Sequence, residues 1–153
     1  MVKKLNWFVA TCGGIGYLPL APGTWAAVFT AIAWFIVSSN TTMPVLWQSG
    51  IATLLIVTGI YSSGKIANQK DKDPSYVVID EAAGMWITLI SFFPSFQNLL
   101  AGFILFRFFD IVKPLGIRKM ERFKNGWGIM MDDVAAGVYS NVVLQLIVMV
   151  KLW

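Results

Sequence analysis

The chain has 153 residues, of which 57% are hydrophobic and only 13% charged, and its mean hydropathy is +0.67. This composition excludes an ordinary soluble domain, and the length suits one domain over residues 1–153. In so apolar a chain the net charge of +4 indicates basic residues that orient membrane helices, so no nucleic-acid partner is predicted.

Five apolar stretches predict membrane helices, and a Gly/Pro-rich interfacial segment precedes them. The stretches are Trp25 to Val37, Val45 to Ser62, Ala82 to Phe93, Leu99 to Val112 and Val134 to Leu152. A full span needs about 20 apolar residues, so the shorter helices are expected to extend into the headgroup zone. The predicted fold is all-α: a polytopic membrane helical bundle of about five helices.

Basic residues occupy alternate connections between these helices, and the other connections carry no charge. The basic connections contain Lys3 and Lys4, then Lys65, Lys70 and Lys72, then the run from Lys113 to Lys124. Cytoplasmic loops of membrane proteins carry an excess of lysine and arginine. The pattern therefore predicts a cytoplasmic N-terminus and two cytoplasmic loops.

Five carboxylates border the apolar stretches, at Asp80, Glu81, Asp110, Asp132 and Asp133. The predicted helix directions put all five at the cytoplasmic ends of the third, fourth and fifth helices. A carboxylate near hydrocarbon is costly and rarely lies there without a partner or a function. Five at one depth indicate a functional site at the membrane surface.

Two of these acids begin the same string, Asp-x-Ala-Ala-Gly, over Asp80 to Gly84 and Asp133 to Gly137. Residues four apart share a helix face, and small residues let membrane helices approach closely. The two strings therefore predict that the third and fifth helices bring their carboxylates together. The alternative is that the small residues only pack and the acids only cap helix N-termini.

The residue types limit the kinds of catalytic site that the chain can form. With no histidine in the chain, a Ser-His-Asp site, a phosphohistidine and an imidazole-bound zinc are excluded. Cys12 lacks a following arginine, so it is predicted to be a small buried residue rather than a phosphatase nucleophile. Oxygen ligands suit a hard cation, and Mg²⁺ takes one or two carboxylates with waters and substrate phosphate oxygens. Adjacent acids such as Asp132 and Asp133 point about a quarter-turn apart, so one is expected to bind metal while the other orients a water or a lysine.

Groups that could contact a phosphate lie beside the acids. Arg107, Asp110 and Lys113 have i,i+3 spacing along one side of the fourth helix. For Lys113 a lipid-facing topology role is an equal alternative. Gly23 and Thr24 start the first membrane helix, with Thr24 predicted as its N-cap, and helix N-termini bind anions.

Three blocks of sequence resemble the phosphatidylglycerophosphatase A family of bacterial membrane enzymes. They are the glycine and Ala-Pro-Gly-Thr segment from Gly14 to Thr24, the Asp-Glu-Ala-Ala-Gly-Met-Trp-Ile-Thr segment from Asp80 to Thr88, and the long segment from Phe106 to Gly137. Two departures are Ala26-Ala27, where members often have Gly-Ser, and Gly116, where a second proline is common. The resemblance implies Mg²⁺-dependent removal of the terminal phosphate from phosphatidylglycerophosphate, giving phosphatidylglycerol.

The hypothesis from sequence is a lipid phosphatase of the bacterial inner membrane whose site faces the cytoplasm. Metal ligands and the water-activating base are expected from Asp80, Glu81, Asp110, Asp132 and Asp133, with Lys113 also in the catalytic set. Phosphate contacts are expected from Gly23, Thr24, Arg107 and Lys113. The alternatives are a CDP-alcohol phosphotransferase-like lipid enzyme, whose Asp-Gly-x-x-Ala-Arg element is missing here, and a small cation transporter. The oligomeric state is left open.

Overall fold

The chain forms six α-helices and two short 3₁₀ helices in a computed structural model that describes residues 2–40, 44–67 and 74–150. The α-helices are α1 (Val2–Ala10), α2 (Pro22–Asn40), α3 (Val45–Ile66), α4 (Ile79–Leu89), α5 (Phe96–Val112) and α6 (Gly126–Met149). The 3₁₀ helices are Ile15–Tyr17 and Ile117–Arg122. No strand occurs in the described residues, so the all-α prediction is confirmed. The five predicted helices are α2 to α6, and α1 is an additional helix in the N-terminal segment.

Among the residues that the structure describes, three helices, α2, α3 and α6, are long and apolar enough to cross a membrane. Large apolar side chains stay exposed on each of them, including Phe29, Leu54 and Val142. Lipid is the solvent that matches such faces. Together these features describe a membrane protein.

The short helix α4 lies at the centre of the bundle and packs against α2, α3, α5 and α6. Nine of its 11 residues are buried. At 1.5 Å per residue it is about 16 Å long, roughly half the thickness of the hydrocarbon core. Its first turn carries Asp80 and Glu81, so the bundle core presents these two acids at one end.

The contact between α4 and α6 runs through two glycines. A Cβ at Gly137 would overlap the backbone of Gly84, and a Cβ at Gly84 would overlap Phe106 and the Asp133 carbonyl. Glycine therefore allows a backbone approach that any larger residue would prevent. The repeated Asp-x-Ala-Ala-Gly string predicted this close packing between the small residues of α4 and α6.

The other end of α4 is closed by polar side chains from its neighbours. The Asn141 side-chain amide of α6 donates to the carbonyls of Ile87, Thr88 and Ile90 at 3.0–3.1 Å. The Gln48 side-chain oxygen of α3 accepts from the Ser91 N–H at 3.1 Å. Backbone groups inside a membrane protein must find internal partners, so these contacts make it possible for α4 to end within the bundle.

The N-terminal segment holds the residues that lead into α4. The Val78 N–H donates to the Ala10 carbonyl at 2.9 Å. Trp7 and Tyr17 both stack on Tyr76, with ring centroids 4.8 and 6.0 Å away. This packing positions the start of α4, and with it the acids of its first turn.

Candidate functional site

Three carboxylates from two helices converge at one end of the bundle. Asp80 and Glu81 come from the first turn of α4 and Asp133 from α6, and one oxygen from each lies within 4.8 Å of the others. We refer to Asp80, Glu81 and Asp133 as the acid cluster. Asp80 and Asp133 are buried, at 7% and 4% exposure. Glu81 is partly exposed. The position at the N-terminus of α4 favours negative charge, but three carboxylates this close still repel one another.

The donor set of the acid cluster fits a hard divalent cation. All three groups offer carboxylate oxygen, the ligand that Mg²⁺, Ca²⁺ and Mn²⁺ prefer. The Glu81 Oε2 atom is buried and has no hydrogen-bond partner among the residues that the structure describes. A buried carboxylate oxygen without a donor is costly unless a proton or a cation compensates it.

The end of α5 places a fourth carboxylate beside the acid cluster. Asp110 interacts electrostatically with Glu81 and Asp133. The Arg107 guanidinium, one turn earlier, donates to Asp110 Oδ2 at 2.5 Å. The predicted i,i+3 alignment therefore produces an ion pair between Arg107 and Asp110.

Asp132 points away from the acid cluster and pairs with Lys113. The Lys113 ammonium donates to Asp132 and also to Glu121 Oε1, the latter at 2.8 Å. Lys113 directly follows α5 in a left-handed conformation with φ 48°, and its side chain reaches Asp132 of α6. Partial burial lowers the pKa of Lys113, but the hydrogen bonds to Asp132 and Glu121 raise it more, so the net pKa lies above the ordinary value. The ammonium is therefore charged at neutral pH.

Glu121 was not singled out from the sequence. It is a lone acid within the basic run that ends at Lys124, and that isolation was the available signal. Pro114 and Gly116 interrupt the helix between Lys113 and Glu121, so helical spacing could not predict their pairing. The pairing depends on the turn of the chain between α5 and α6, which the sequence does not show.

The beginning of α2 reaches the acid cluster through Gly23. A Cβ at Gly23 would overlap the Glu81 carboxylate. The predicted N-cap role of Thr24 is wrong, because α2 begins at Pro22 and the Ala21 carbonyl accepts from the Trp25 N–H. Proline is favoured at the first helical position, and this makes Thr24 the third residue of the helix. The first N–H groups of α2 still lie at the cluster, where they could bind an anion.

The start of α6 also differs from the prediction. Asp132 and Asp133 were expected at the N-terminal end of this helix, but α6 begins at Gly126, so they lie about two turns after its start. Gly126 packs directly on the Ile60 carbonyl of α3, where a Cβ would not fit. Close packing on α3 therefore extends the helix through residues that are poor helix formers.

Cys12 lies near the site but is unsuited to act as a nucleophile. Its thiol donates to the Val78 carbonyl at 3.7 Å. Burial, with a further contribution from the charge of Glu81, raises the pKa of Cys12 to about 12. The thiolate is the reactive form of cysteine, so this side chain is a poor nucleophile, as predicted. It is partly exposed rather than fully buried.

A cavity of about 810 Å³ lies at the opposite end of the bundle from the acid cluster. Its walls come from the end of α2, the start of α3 and the turn after α4, and include Asn40, Gln48 and Ser91. None of the predicted site residues lines it. The candidate site is therefore the polar end of the bundle formed by α2, α4, α5 and α6.

The family model and two relatives with known names indicate the same family. The family model described as Phosphatidylglycerophosphatase A matches residues 8–148. Two relatives named Phosphatidylglycerophosphatase A are 35% identical over 149 residues (Escherichia coli strain K12; 92% of this chain and 83% of the relative) and 38% identical over 135 residues (Haemophilus influenzae; 86% and 81%). A relative from Bacteroides thetaiotaomicron, named provisionally as a phosphatidylinositol-3-phosphatase, is 42% identical over 143 residues, with 89% of each chain covered. No solved structure matches the chain.

Proposed function

The chain belongs to the phosphatidylglycerophosphatase A family, and from this premise we propose that it hydrolyses phosphatidylglycerophosphate to phosphatidylglycerol and inorganic phosphate. The observation that carries this proposal is the acid cluster, flanked by Arg107 and Lys113 at one end of a membrane bundle. Such a site offers ligands for a cation and cationic groups for a phosphate, and its place at a bundle end suits a lipid headgroup.

The proposed cofactor is Mg²⁺, held by Asp80, Glu81 and Asp133 with Asp110 beside them. Mg²⁺ characteristically combines one or two carboxylates with substrate phosphate oxygens. When bound, it would neutralise phosphate charge and make a water molecule more acidic. The unpartnered Glu81 Oε2 atom supports a cation at this position.

The cationic groups and the start of α2 are proposed to hold the substrate phosphate. Arg107 can present two parallel N–H groups to phosphate oxygens, and Lys113 adds a point charge. Arg107 is paired with Asp110, and Lys113 is paired with Asp132. Each cationic group could also donate hydrogen bonds to a phosphate that enters the site. The backbone N–H groups of Gly23 and Thr24 supply further donors at a helix N-terminus.

The chemistry proposed is attack of water on the terminal phosphorus. A new bond forms between the water oxygen and phosphorus, and the bond from phosphorus to the glycerol oxygen breaks. One carboxylate of the site accepts a proton from the attacking water and then gives up a proton to the leaving glycerol oxygen, which becomes the hydroxyl of phosphatidylglycerol.

The proposed location is the cytoplasmic face of the bacterial inner membrane. The starts of α2, α4 and α6 and the end of α5 lie at the same end of the bundle as the basic residues between α5 and α6. Cytoplasmic connections are the ones enriched in lysine and arginine. The positive-inside pattern therefore supports a site that faces the cytoplasm.

A second candidate substrate is a phosphatidylinositol 3-phosphate, because the relative from Bacteroides thetaiotaomicron at 42% identity carries that provisional name. The two lipids differ in the alcohol that leaves: a primary glycerol hydroxyl in one and a bulkier secondary ring hydroxyl in the other. Both would use the same phosphate-binding groups.

Phosphate release by the purified protein in phosphatidylcholine vesicles tests the proposal. With Mg²⁺ present, phosphatidylglycerophosphate should be hydrolysed at least about tenfold faster than phosphatidylinositol 3-phosphate, which is about 1.4 kcal/mol of discrimination. The Asp133→Asn variant should be inactive on both. Faster hydrolysis of phosphatidylinositol 3-phosphate would make that lipid the proposed substrate instead. Full activity in excess chelator would refute the requirement for Mg²⁺. Release of phosphate from neither lipid would refute the phosphatase proposal.

A further inference from the structure

Four basic side chains project from the connection between α5 and α6. They are Arg118, Lys119, Arg122 and Lys124, all exposed, and we refer to them as the basic surface. Within residues 2–40, 44–67 and 74–150, none of the four forms an ion pair with an acid. The one acid in their midst, Glu121, is paired with Lys113. The basic surface therefore carries uncompensated positive charge.

Large apolar side chains flank the basic surface. Leu115, Phe123 and Trp127 are 74%, 52% and 54% exposed. Alternation of exposed apolar and basic residues is typical of segments that lie in the headgroup region, where apolar groups enter the acyl boundary and cations remain among the headgroups. A connection that only joined two helices in water would not need three such side chains.

The connection is held in a fixed shape. Ile117 is 1% exposed and anchors its 3₁₀ helix, and Gly116 supplies a left-handed turn at φ 90°. Gly128 of α6 packs so closely on the carbonyls of Glu121 and Phe123 that a Cβ would not fit. The basic surface is therefore a preformed surface rather than a loose chain.

The same connection is tied directly to the candidate site. Lys113 joins Glu121 on the connection to Asp132 on α6, and the next residue, Asp133, belongs to the acid cluster. The basic surface is therefore part of a segment whose ion pairs reach the residue next to Asp133.

We propose that the basic surface docks the anionic headgroups of bilayer phospholipids around the protein. The chain is a membrane protein, so headgroups are the anions present in the plane that the connection occupies, and each basic residue near such a surface favours anionic lipid by a roughly fivefold factor. Exposed Leu115, Phe123 and Trp127 fit a bilayer boundary better than they fit a soluble anion. This inference goes beyond the proposed function because it concerns the surrounding lipid, and it does not require that any lipid be hydrolysed.

A fluorescence experiment with the full chain tests this docking. Cys12→Ser leaves the chain without a thiol, and Leu115→Cys then accepts a bimane label at the edge of the basic surface. The protein is placed in phosphatidylcholine vesicles that contain either brominated phosphatidylserine or the same fraction of brominated phosphatidylcholine. Quenching by the anionic lipid should exceed quenching by the neutral lipid, and 0.5 M salt should remove the excess.

Matched double variants identify the residues responsible. In the labelled protein, Arg118→Gln with Lys119→Gln should raise the phosphatidylserine fraction needed for half of the excess quenching about 25-fold, which is about fivefold for each residue. Lys3→Gln with Lys4→Gln removes the same charge elsewhere and should leave that fraction unchanged. Three results would overturn the proposal: equal quenching by the two lipids, an unchanged response in the Arg118/Lys119 variant, or loss of the excess on adding 10 mM inorganic phosphate at constant ionic strength.

Discussion

Gly84 of α4 and Gly137 of α6 lie in direct backbone contact, with no room for a Cβ on either side. Each glycine lies four residues after a carboxylate of the acid cluster, Asp80 in one helix and Asp133 in the other. Because residues four apart lie on the same helix face, the glycine contact sets the separation of those carboxylates. The distance between α4 and α6 therefore also determines how close Asp80 and Asp133 lie to each other.

Gly137→Ala tests this link. The added methyl group would overlap the Gly84 backbone, so the helices must move apart, at a cost of about 1–3 kcal/mol in unfolding free energy. We expect a lower melting temperature in detergent and a phosphatase activity reduced at least about tenfold. Gly50→Ala is the matched control, since a Cβ at Gly50 meets nothing within 4 Å. Gly137→Ala with unchanged stability and activity would show that the contact does not set the site.

Lys113→Gln tests the proposed phosphate contact. The change leaves Asp132 buried without its cationic partner, which should cost about 1–3 kcal/mol of stability, and should raise the KM for phosphatidylglycerophosphate at least about tenfold. Affinity for Mn²⁺ should be retained, because Lys113 lies outside the acid cluster. Glu121→Gln removes only the exposed partner of Lys113 and should change KM less than threefold. An unchanged KM in Lys113→Gln would show that Lys113 does not contact the phosphate and serves only to orient the membrane helices.

Asn141→Leu tests how α4 ends inside the bundle. The substitution removes three hydrogen bonds to the carbonyls of Ile87, Thr88 and Ile90, so we expect the unfolding free energy to fall by about 1–3 kcal/mol. Gln145→Leu is the control, because Gln145 is exposed and its side-chain amide donates to Asn141 rather than to the end of α4. Thermal unfolding followed by circular dichroism measures both. Equal melting temperatures for the two variants would argue against this capping role.

The Cys12 thiol gives a prediction that depends on pH. Burial raises its pKa from 9.0 to about 12, so the folded protein favours the neutral thiol. Any stability from this preference is fully present below pH 9 and is lost as the pH rises toward 12. At pH 9 we expect iodoacetamide to modify native Cys12 at least about a hundredfold more slowly than the thiol of protein unfolded in dodecyl sulfate. Mass spectrometry measures both rates, and similar rates would contradict the burial.

Much of the architecture follows from local patterns in the sequence. The apolar stretches predicted α2 to α6, the repeated Asp-x-Ala-Ala-Gly string predicted the close approach of α4 and α6, and the quarter-turn between Asp132 and Asp133 predicted that they face different partners. In the structure Asp133 joins the acid cluster while Asp132 pairs with Lys113. These features depend on helical spacing, which is visible in any sequence.

What the sequence did not show depends on contacts between distant segments. The first residues of α6 include two glycines, and only their packing on the carbonyls of Ile60 and Phe123 explains why they are helical. The pairing of Glu121 with Lys113 requires the chain to turn back between α5 and α6, and no periodic pattern in the sequence predicts that turn. Capping of α4 by Asn141 joins residues more than 50 positions apart. Tertiary packing decides each of these cases.

The central claim is that Asp80, Glu81 and Asp133 form one divalent-cation site. The most direct measurement is a titration of the purified protein with Mn²⁺, with free Mn²⁺ followed by electron paramagnetic resonance and Mg²⁺ added as competitor. We expect Mg²⁺-displaceable binding in the wild type and in Gly50→Ala, and at least about a hundredfold weaker binding in both Glu81→Gln and Asp133→Asn. Undiminished Mn²⁺ affinity in these two variants, with their helical content intact, would contradict a metal site at the acid cluster.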